Sequence, residues 1–113
     1  MTIVEQYLEA VTRHDWDALR VLLREDVVRV GPFNDEYRGA DAYVEFLAGL
    51  MPTLPDYSME LSRVTYADGL AFAELAENVA GTRTEEALIF ELDGDRIARI
   101  DIFIKTSAPK GFP

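Results

Sequence analysis

The chain has no cysteine, one histidine and a shortage of positive charge, and each deficit removes a class of function. Without thiols there is no disulfide framework, no thiolate nucleophile and no cysteine metal site, and His14 alone excludes a multi-histidine metal centre. Lys+Arg number 11 against 21 Asp+Glu, a formal charge of −10, which repels phosphate backbones and anionic lipid. Nucleic acid is therefore not an expected partner. No run approaches the ~20 apolar residues that span a bilayer, and residues 1–10 lack the basic start and apolar stretch of a signal peptide. A soluble, cytoplasmic protein with no membrane association is expected. A length of 113 residues with 49% hydrophobic content is one domain's worth of chain, with apolar side chain enough for one core.

What is present is periodicity. Thr2 followed by Glu5 reads as a capping box, and Ile3, Val4, Tyr7, Leu8 and Val11 then fall on one helical face. Asp15 caps a second, short helix with Trp16, Leu19, Leu22 and Leu23 on its apolar side, so a helical hairpin turns at His14-Asp15. Residues 27–30 form a β-rich run stopped by Gly31-Pro32, and residues 33–38 read as a polar loop. Tyr43, Phe46, Leu47, Leu50 and Met51 repeat at helical spacing until Pro52 and Pro55. An antiparallel meander follows: residues 57–67, a turn at Asp68-Gly69, residues 70–80, Gly81, residues 87–92, Asp93-Gly94-Asp95 and residues 96–104. In its first strand the apolar parity changes from Tyr57, Met59 and Leu61 to Val64 and Tyr66. That change predicts a β-bulge near Arg63 which bends the sheet. Residues 107–113 read as a tail beyond a domain spanning 1–106.

The order helix, helix, strand, helix and four strands carries local signatures at fixed places. These are Tyr7-Leu8-Glu9-Ala10, His14-Asp15-Trp16-Asp17-Ala18-Leu19, Asp26-Val27-Val28-Arg29-Val30-Gly31-Pro32, Tyr37-Arg38-Gly39-Ala40 and Gly94-Asp95-Arg96-Ile97-Ala98-Arg99-Ile100. Together they resemble the nuclear transport factor 2-like superfamily in its SnoaL-like branch, over nearly the whole chain. The resemblance implies an α+β fold, a cystatin-like roll in which a cone-shaped, curved antiparallel sheet wraps three N-terminal helices in the order α-α-β-α-β-β-β-β. It also implies a cavity inside the cone, a homodimer, and neither metal nor cofactor. Steroid isomerases, polyketide cyclases, epoxide hydrolases, dehydratases and non-catalytic binding domains share this shape, so the resemblance speaks to fold and not to reaction.

Under the same resemblance, Tyr7 falls where ketosteroid isomerases place a helix-one tyrosine that donates to an oxyanion. The alternative is an aromatic on the buried face of an amphipathic helix. The general base of those enzymes, just before a first-strand proline, falls on Gly31, and their second donor falls on Leu88. Steroid isomerisation by that mechanism is not expected. Of the charged set of limonene epoxide hydrolases only Glu77 remains, the other positions being Leu75 and Ile102.

The remaining polar candidates are Arg29, Glu77 and Glu86. Strand parity groups Glu77 with Leu75 and Val79, and Glu86 with Leu88, Phe90 and Leu92, so both carboxyls face the apolar side. Desolvation there raises a carboxyl pKa unless Arg29 pairs with it, and a raised carboxyl is an acid or base; the alternative is an inward ion pair or a solvated residue at the mouth. The candidate catalytic residues are thus Glu77, Glu86 and Tyr7. The candidate ligand wall is Arg29, Tyr43, Phe46, Leu47, Leu50, Leu88, Phe90 and Ile102. Asp101 shares a face with Arg99, opposite Ile100, Ile102 and Ile104, and reads as an outer-face salt bridge; His14 reads as a surface turn residue.

Two functions stay open. One is a small cofactor-free enzyme acting by proton transfer on a carbonyl or epoxide-like compound. The other is a non-catalytic domain that binds a small hydrophobic molecule or dimerises through an outer sheet face bearing Arg63, Arg83, Arg99, Asp101 and Phe103.

Overall fold

Thr2 opens the first helix through the reciprocal bonds its spacing from Glu5 predicts. In the computed structural model, which describes residues 1–113, its Oγ1 accepts from the Glu5 N–H at 3.3 Å, and Glu5 Oε1 accepts from the Thr2 N–H at 3.1 Å. Helix α1 (Ile3–Thr12) then turns at His14, whose φ of 57° reverses the chain and whose ring stacks on Trp16. Asp15 Oδ1 accepts from the Ala18 N–H at 3.1 Å and starts α2 (Trp16–Leu22). Strand β1 (Leu23–Val30), strand β2 (Glu36–Arg38) and helix α3 (Ala40–Leu50) follow. A 3-10 turn over Met51–Thr53, with Pro52 in it, ends the helical half.

The second half is the meander of β3 (Ser58–Ala67), β4 (Leu70–Val79), β5 (Thr82–Asp93) and β6 (Arg96–Ile104). The spatial order is β2-β1-β6-β5-β4-β3. β3 to β6 pair antiparallel, whereas β1 runs parallel to β6 and antiparallel to β2, so the six-stranded sheet is mixed. The parallel pairing arises because β1 enters the sheet from the helical hairpin and not from a neighbouring strand. Residues 36–38 depart from the expected loop: Glu36, Tyr37 and Arg38 pair with Val30, Arg29 and Val28. Three residues are too few to show a period, and backbone pairing alone makes them a strand. β5 likewise starts at Thr82 and not at Ala87, since its polar first residues pair with Val79 through Leu75.

The bulge lies where parity places it. Leu61 faces Leu75 and Arg63 faces Glu74, which leaves Ser62 as the extra residue. A second irregularity sets Glu91 opposite Arg99 and Leu92 opposite Ile97, so that Ala98 is extra and Ile97 and Ile100 both turn inward, fully buried. The helices pack in the hollow of the sheet so bent. α3 lies on β1 and β2, and α1 reaches β3, where the Val4 N–H donates to Tyr66 Oη at 3.4 Å. β6 ends at Ile104, Lys105 still donates to the Glu85 carbonyl at 2.9 Å, and residues 107–113 carry no helix or strand and are exposed. No helix is long and apolar enough to cross a membrane.

Phe90 has no solvent exposure and meets the Tyr7 ring edge-on, with centroids 5.3 Å apart at 76°. Truncating it removes the contact that joins α1 to the middle of β5. Phe90→Ala should destabilise the fold by about 3–5 kcal/mol, read as a lower urea midpoint with an unchanged denaturant slope.

Candidate functional site

The cone is hollow. Between the concave face of the sheet and helices α1 and α3 lies a cavity of about 390 Å³, lined by 23 residues of which 17 are hydrophobic. Tyr7 from α1 and Tyr43 from α3 meet at their hydroxyls, and both side chains are buried. Burial raises the Tyr7 phenol well above its ordinary value, and the neighbouring Tyr43 adds to it. Burial also raises Tyr43, opposed by its bond with Tyr7 and by the charge of Arg29.

A second polar cluster is half-buried, closer to solvent. Glu77 sits opposite Met59 on one side and Thr84 on the other, while Glu86 sits opposite Leu75 and Ile104. The two carboxyls are therefore diagonal neighbours on one face of adjacent strands, close enough for long side chains to touch. They bond to each other, and Tyr57 Oη donates to Glu77 Oε2 at 2.5 Å. Burial first, then the bond with Glu77 and its negative charge, push the Glu86 carboxyl up to about 9. Burial and the Glu77 carboxylate also push the Tyr57 phenol up. The cluster thus carries a carboxyl proton at neutral pH inside an apolar space.

Arg29 does not pair with either glutamate. Its Nη1 donates to Asp35 Oδ2 at 2.7 Å, and its guanidinium lies 5.3 Å from the Phe46 ring centre and 5.8 Å from those of Tyr37 and Tyr43. Arg29 is 8% exposed and its Nε has no hydrogen-bond partner. Partial burial pushes the Asp35 carboxyl up, but the Arg29 bond and charge hold it below its ordinary value. Gly31 makes room for this: a Cβ there would stand 2.3 Å from Asp35 Oδ1. A side chain at that point would have to push the Asp35 carboxyl out of its place against Arg29.

Of the residues singled out in the sequence, Tyr7, Glu77, Glu86 and Arg29 line the one cavity, as do Tyr43, Phe46, Leu47, Leu50, Leu88 and Ile102. Phe90 does not. It shares the inward face of β5 with Leu88, but Tyr7 covers it, so it belongs to the core beneath the cavity floor. Asp101 pairs with Arg99 at 2.8 Å on the outer face, opposite Ile89, and stays outside the cavity. His14 is exposed at the helical turn. Tyr57, Asp35 and Phe33 are site residues that sequence reasoning missed. A second, more open depression of about 480 Å³ between α1 and α2 carries the surface pair Glu9–Arg13 and the exposed Asp15, and no buried titratable group.

The Glu86 shift has a signed consequence. The folded protein holds a proton that the unfolded chain releases in the ordinary carboxylate range, so stability is highest below that range and falls as pH rises towards about 9. Glu86→Gln should remove this fall. Unfolding free energies from urea melts at about pH 6 and about pH 9 should differ in the wild type by on the order of 2 kcal/mol, a value reduced by partial solvation, and should nearly coincide in the variant.

The SnoaL-like domain family matches residues 4–100. No curated protein matches the chain. Among solved structures, a protein of Kribbella flavida provisionally assigned as a ketosteroid isomerase superposes with a TM-score of 0.84 at 17% identity, over 95% of this chain and 78% of that one. A Shewanella putrefaciens protein provisionally assigned as a SnoaL-like polyketide cyclase gives 0.81 at 16% identity, over 90% and 77%. An epoxide hydrolase of M. tuberculosis, of the limonene epoxide hydrolase-like type, gives 0.77 at 20% identity, over 91% and 80%. These likenesses concern the fold; the match over 4–100 makes the chain a member of the SnoaL-like domain family.

Proposed function

We infer that the protein is a cytoplasmic, cofactor-independent acid/base enzyme of cyclase, isomerase or hydrolase type, acting on a small carbonyl or epoxide-like compound held in the cavity. The observation that carries this reading is the Tyr57–Glu77–Glu86 cluster inside an apolar wall. Glu86 holds a proton that it can deliver to a ligand oxygen, and Glu77, already positioned by Tyr57, receives the returning proton or orients a water. The buried Tyr7–Tyr43 pair supplies an O–H for charge that develops on the substrate. The apolar remainder excludes bulk water and selects a compact hydrophobic body. Gly31 and Leu88 leave no side chain able to perform the usual ketosteroid isomerase chemistry at those positions.

A non-catalytic ligand-binding domain is the second reading, favoured by the absence of a charged group placed to activate an attacking water beside Glu77: Arg29 is engaged by Asp35. Turnover separates the two. Screened against small epoxides and enolisable ketones, the wild type should convert at least one, and Glu77→Gln or Glu86→Gln should lower kcat by about 10²–10⁴ while leaving ligand affinity within a few-fold. Saturable binding without turnover in any form of the protein would assign it to the binders.

The same reading takes the protein as a homodimer joined through the outer sheet face. Phe103 is 55% exposed there and Phe72 38%, flanked by the pairs Arg63–Glu74 and Arg83–Glu60, which give a surface both signs of charge for self-complementary contact. Sedimentation should report a dimer, and Phe103→Glu should shift it to monomer without loss of helix or strand signal.

A further inference from the structure

Eight arginines of the fold pair with carboxylates, and none of those carboxylates is Glu77 or Glu86. The other cationic side chains, Arg96, Lys105 and Lys110, are exposed. Arg29 is the one cationic side chain in the cavity wall, and Asp35 holds it. One proton is shared between the two glutamates, so one negative charge stands in a mostly apolar wall with no cation to match it. An ionised carboxylate in such a place is costly unless a countercharge reaches it.

The pair also keeps acceptor capacity in reserve. Glu77 accepts from Tyr57 and bonds to Glu86, whereas an ionised carboxylate offers about four lone-pair sites. A second, independent observation points to a ligand in the same cavity. Arg29 lines it at 8% exposure, and the hydrogen on its Nε has no acceptor within the protein. The wall is suited to a cation in a further respect: Tyr7, Tyr43, Phe46 and Tyr57 all line it, and ring faces attract positive charge. They do so already for Arg29, whose guanidinium lies 5.3 Å from the Phe46 ring centre. The formal charge of −10 draws cations towards the mouth and repels anions.

Resting on the reading of the cavity as a small-molecule site, we propose that its ligand is a compact hydrophobic amine, bound as the ammonium ion with its N–H groups on the carboxyls of Glu77 and Glu86. Charge-assisted bonds from a primary or secondary ammonium would fill the free acceptor sites and supply the missing countercharge together. The reacting oxygen of a carbonyl or epoxide then belongs to the same molecule, away from its ammonium end. An anionic ligand without an amine would meet the unmatched negative charge and bind poorly.

Three probes of one shape test this: cyclohexylamine, cyclohexanol and cyclohexanecarboxylate, titrated by calorimetry at about pH 7 and physiological salt. The wild type should bind the amine at least about tenfold more tightly than the alcohol, and the carboxylate more weakly than either. A single glutamine variant leaves a carboxyl that can ionise in place of the lost one, so the informative variant is the double one, Glu77→Gln with Glu86→Gln. It should bind amine and alcohol within about threefold of each other. Equal binding of amine and alcohol by the wild type, or a preference that survives in the double variant, overturns the proposal and keeps the small-molecule site. Leu88→Trp fills the cavity and should abolish binding of the amine; binding that survives it belongs to the acidic surface and overturns the proposal too. Should the double variant fail to fold by circular dichroism, wild type labelled with ¹³C at the glutamate Cδ decides. The amine must shift Glu77 and Glu86, assigned through the single variants, more than the other glutamates, and a uniform response overturns the proposal. No binding of any probe to the wild type sinks both the amine and the small-molecule site.

Discussion

Glu77 and Glu86 face the same apolar cavity from adjacent strands, and two carboxylates that close in so little water cannot both carry charge. This constraint fixes the character of the site. One proton stays with the pair, and the bond between Glu77 and Glu86 exists only while it stays, whereas Tyr57 donates its own hydrogen to Glu77. The sheet has to maintain the register that makes them neighbours. The β4–β5 hairpin does so through a two-residue turn, Ala80-Gly81, with φ of 50° and 84°, the paired positive values that match the twist of the flanking strands. A slip of one residue between the two strands would put the two carboxyls on opposite faces of the sheet.

A hollow cone also forgoes packing that a solid core would supply, and it adds the burden of burying Arg29. Three features offset that burden. Asp35 supplies an ion pair that is only partly exposed, three ring faces surround the guanidinium at 5.3 to 5.8 Å, and the stacked Tyr37–Phe46 pair, with centroids 4.1 Å apart, holds two of those faces in position. Each cation–ring contact of this kind contributes about 0.5–2 kcal/mol, and together with the ion pair they compete with a desolvation penalty of several kcal/mol. β2, invisible to periodicity, exists to present Tyr37 and to close the turn that carries Asp35.

Much of the fold was legible because it depends on local rules. The Thr2–Glu5 box, the Asp15 cap, the α3 stripe and the Ser62 bulge each follow from spacing within a few residues, and the bulge was readable from parity alone. Parity also turned Glu77 and Glu86 inward and Asp101 outward. Glu36–Arg38 escaped because a three-residue edge strand is defined by its partner and not by its own sequence. Tyr57 escaped as a site residue although its signal was present. The Asp68-Gly69 turn and one bulge set Met59 opposite Glu77, which brings Tyr57 into diagonal reach of that carboxyl. Asp35 carried no such signal, since its role depends on the empty space at Gly31, known only once the turn is folded. Phe90 shows the limit of parity, which gives the face of a strand but not the depth at which a cavity ends.

The protonation of the carboxyl pair is set first by burial and then by the bond and charge of Glu77 within the hairpin that bears it. Arg29 exerts a lowering pull on Glu86, yet that pull is weaker than burial and the Glu77 charge together. Asp35, 2.7 Å from Nη1, opposes the field that Arg29 casts across the cavity. Tyr43 lies against the guanidinium, whose charge and hydrogen bond both lower its phenol. The β1–β2 turn, through Gly31 and Asp35, thereby lets one arginine polarise a phenol at the buried end without stripping the proton from a carboxyl nearer the solvent. Two groups with opposite requirements coexist in one small cavity because the charge between them is already paired.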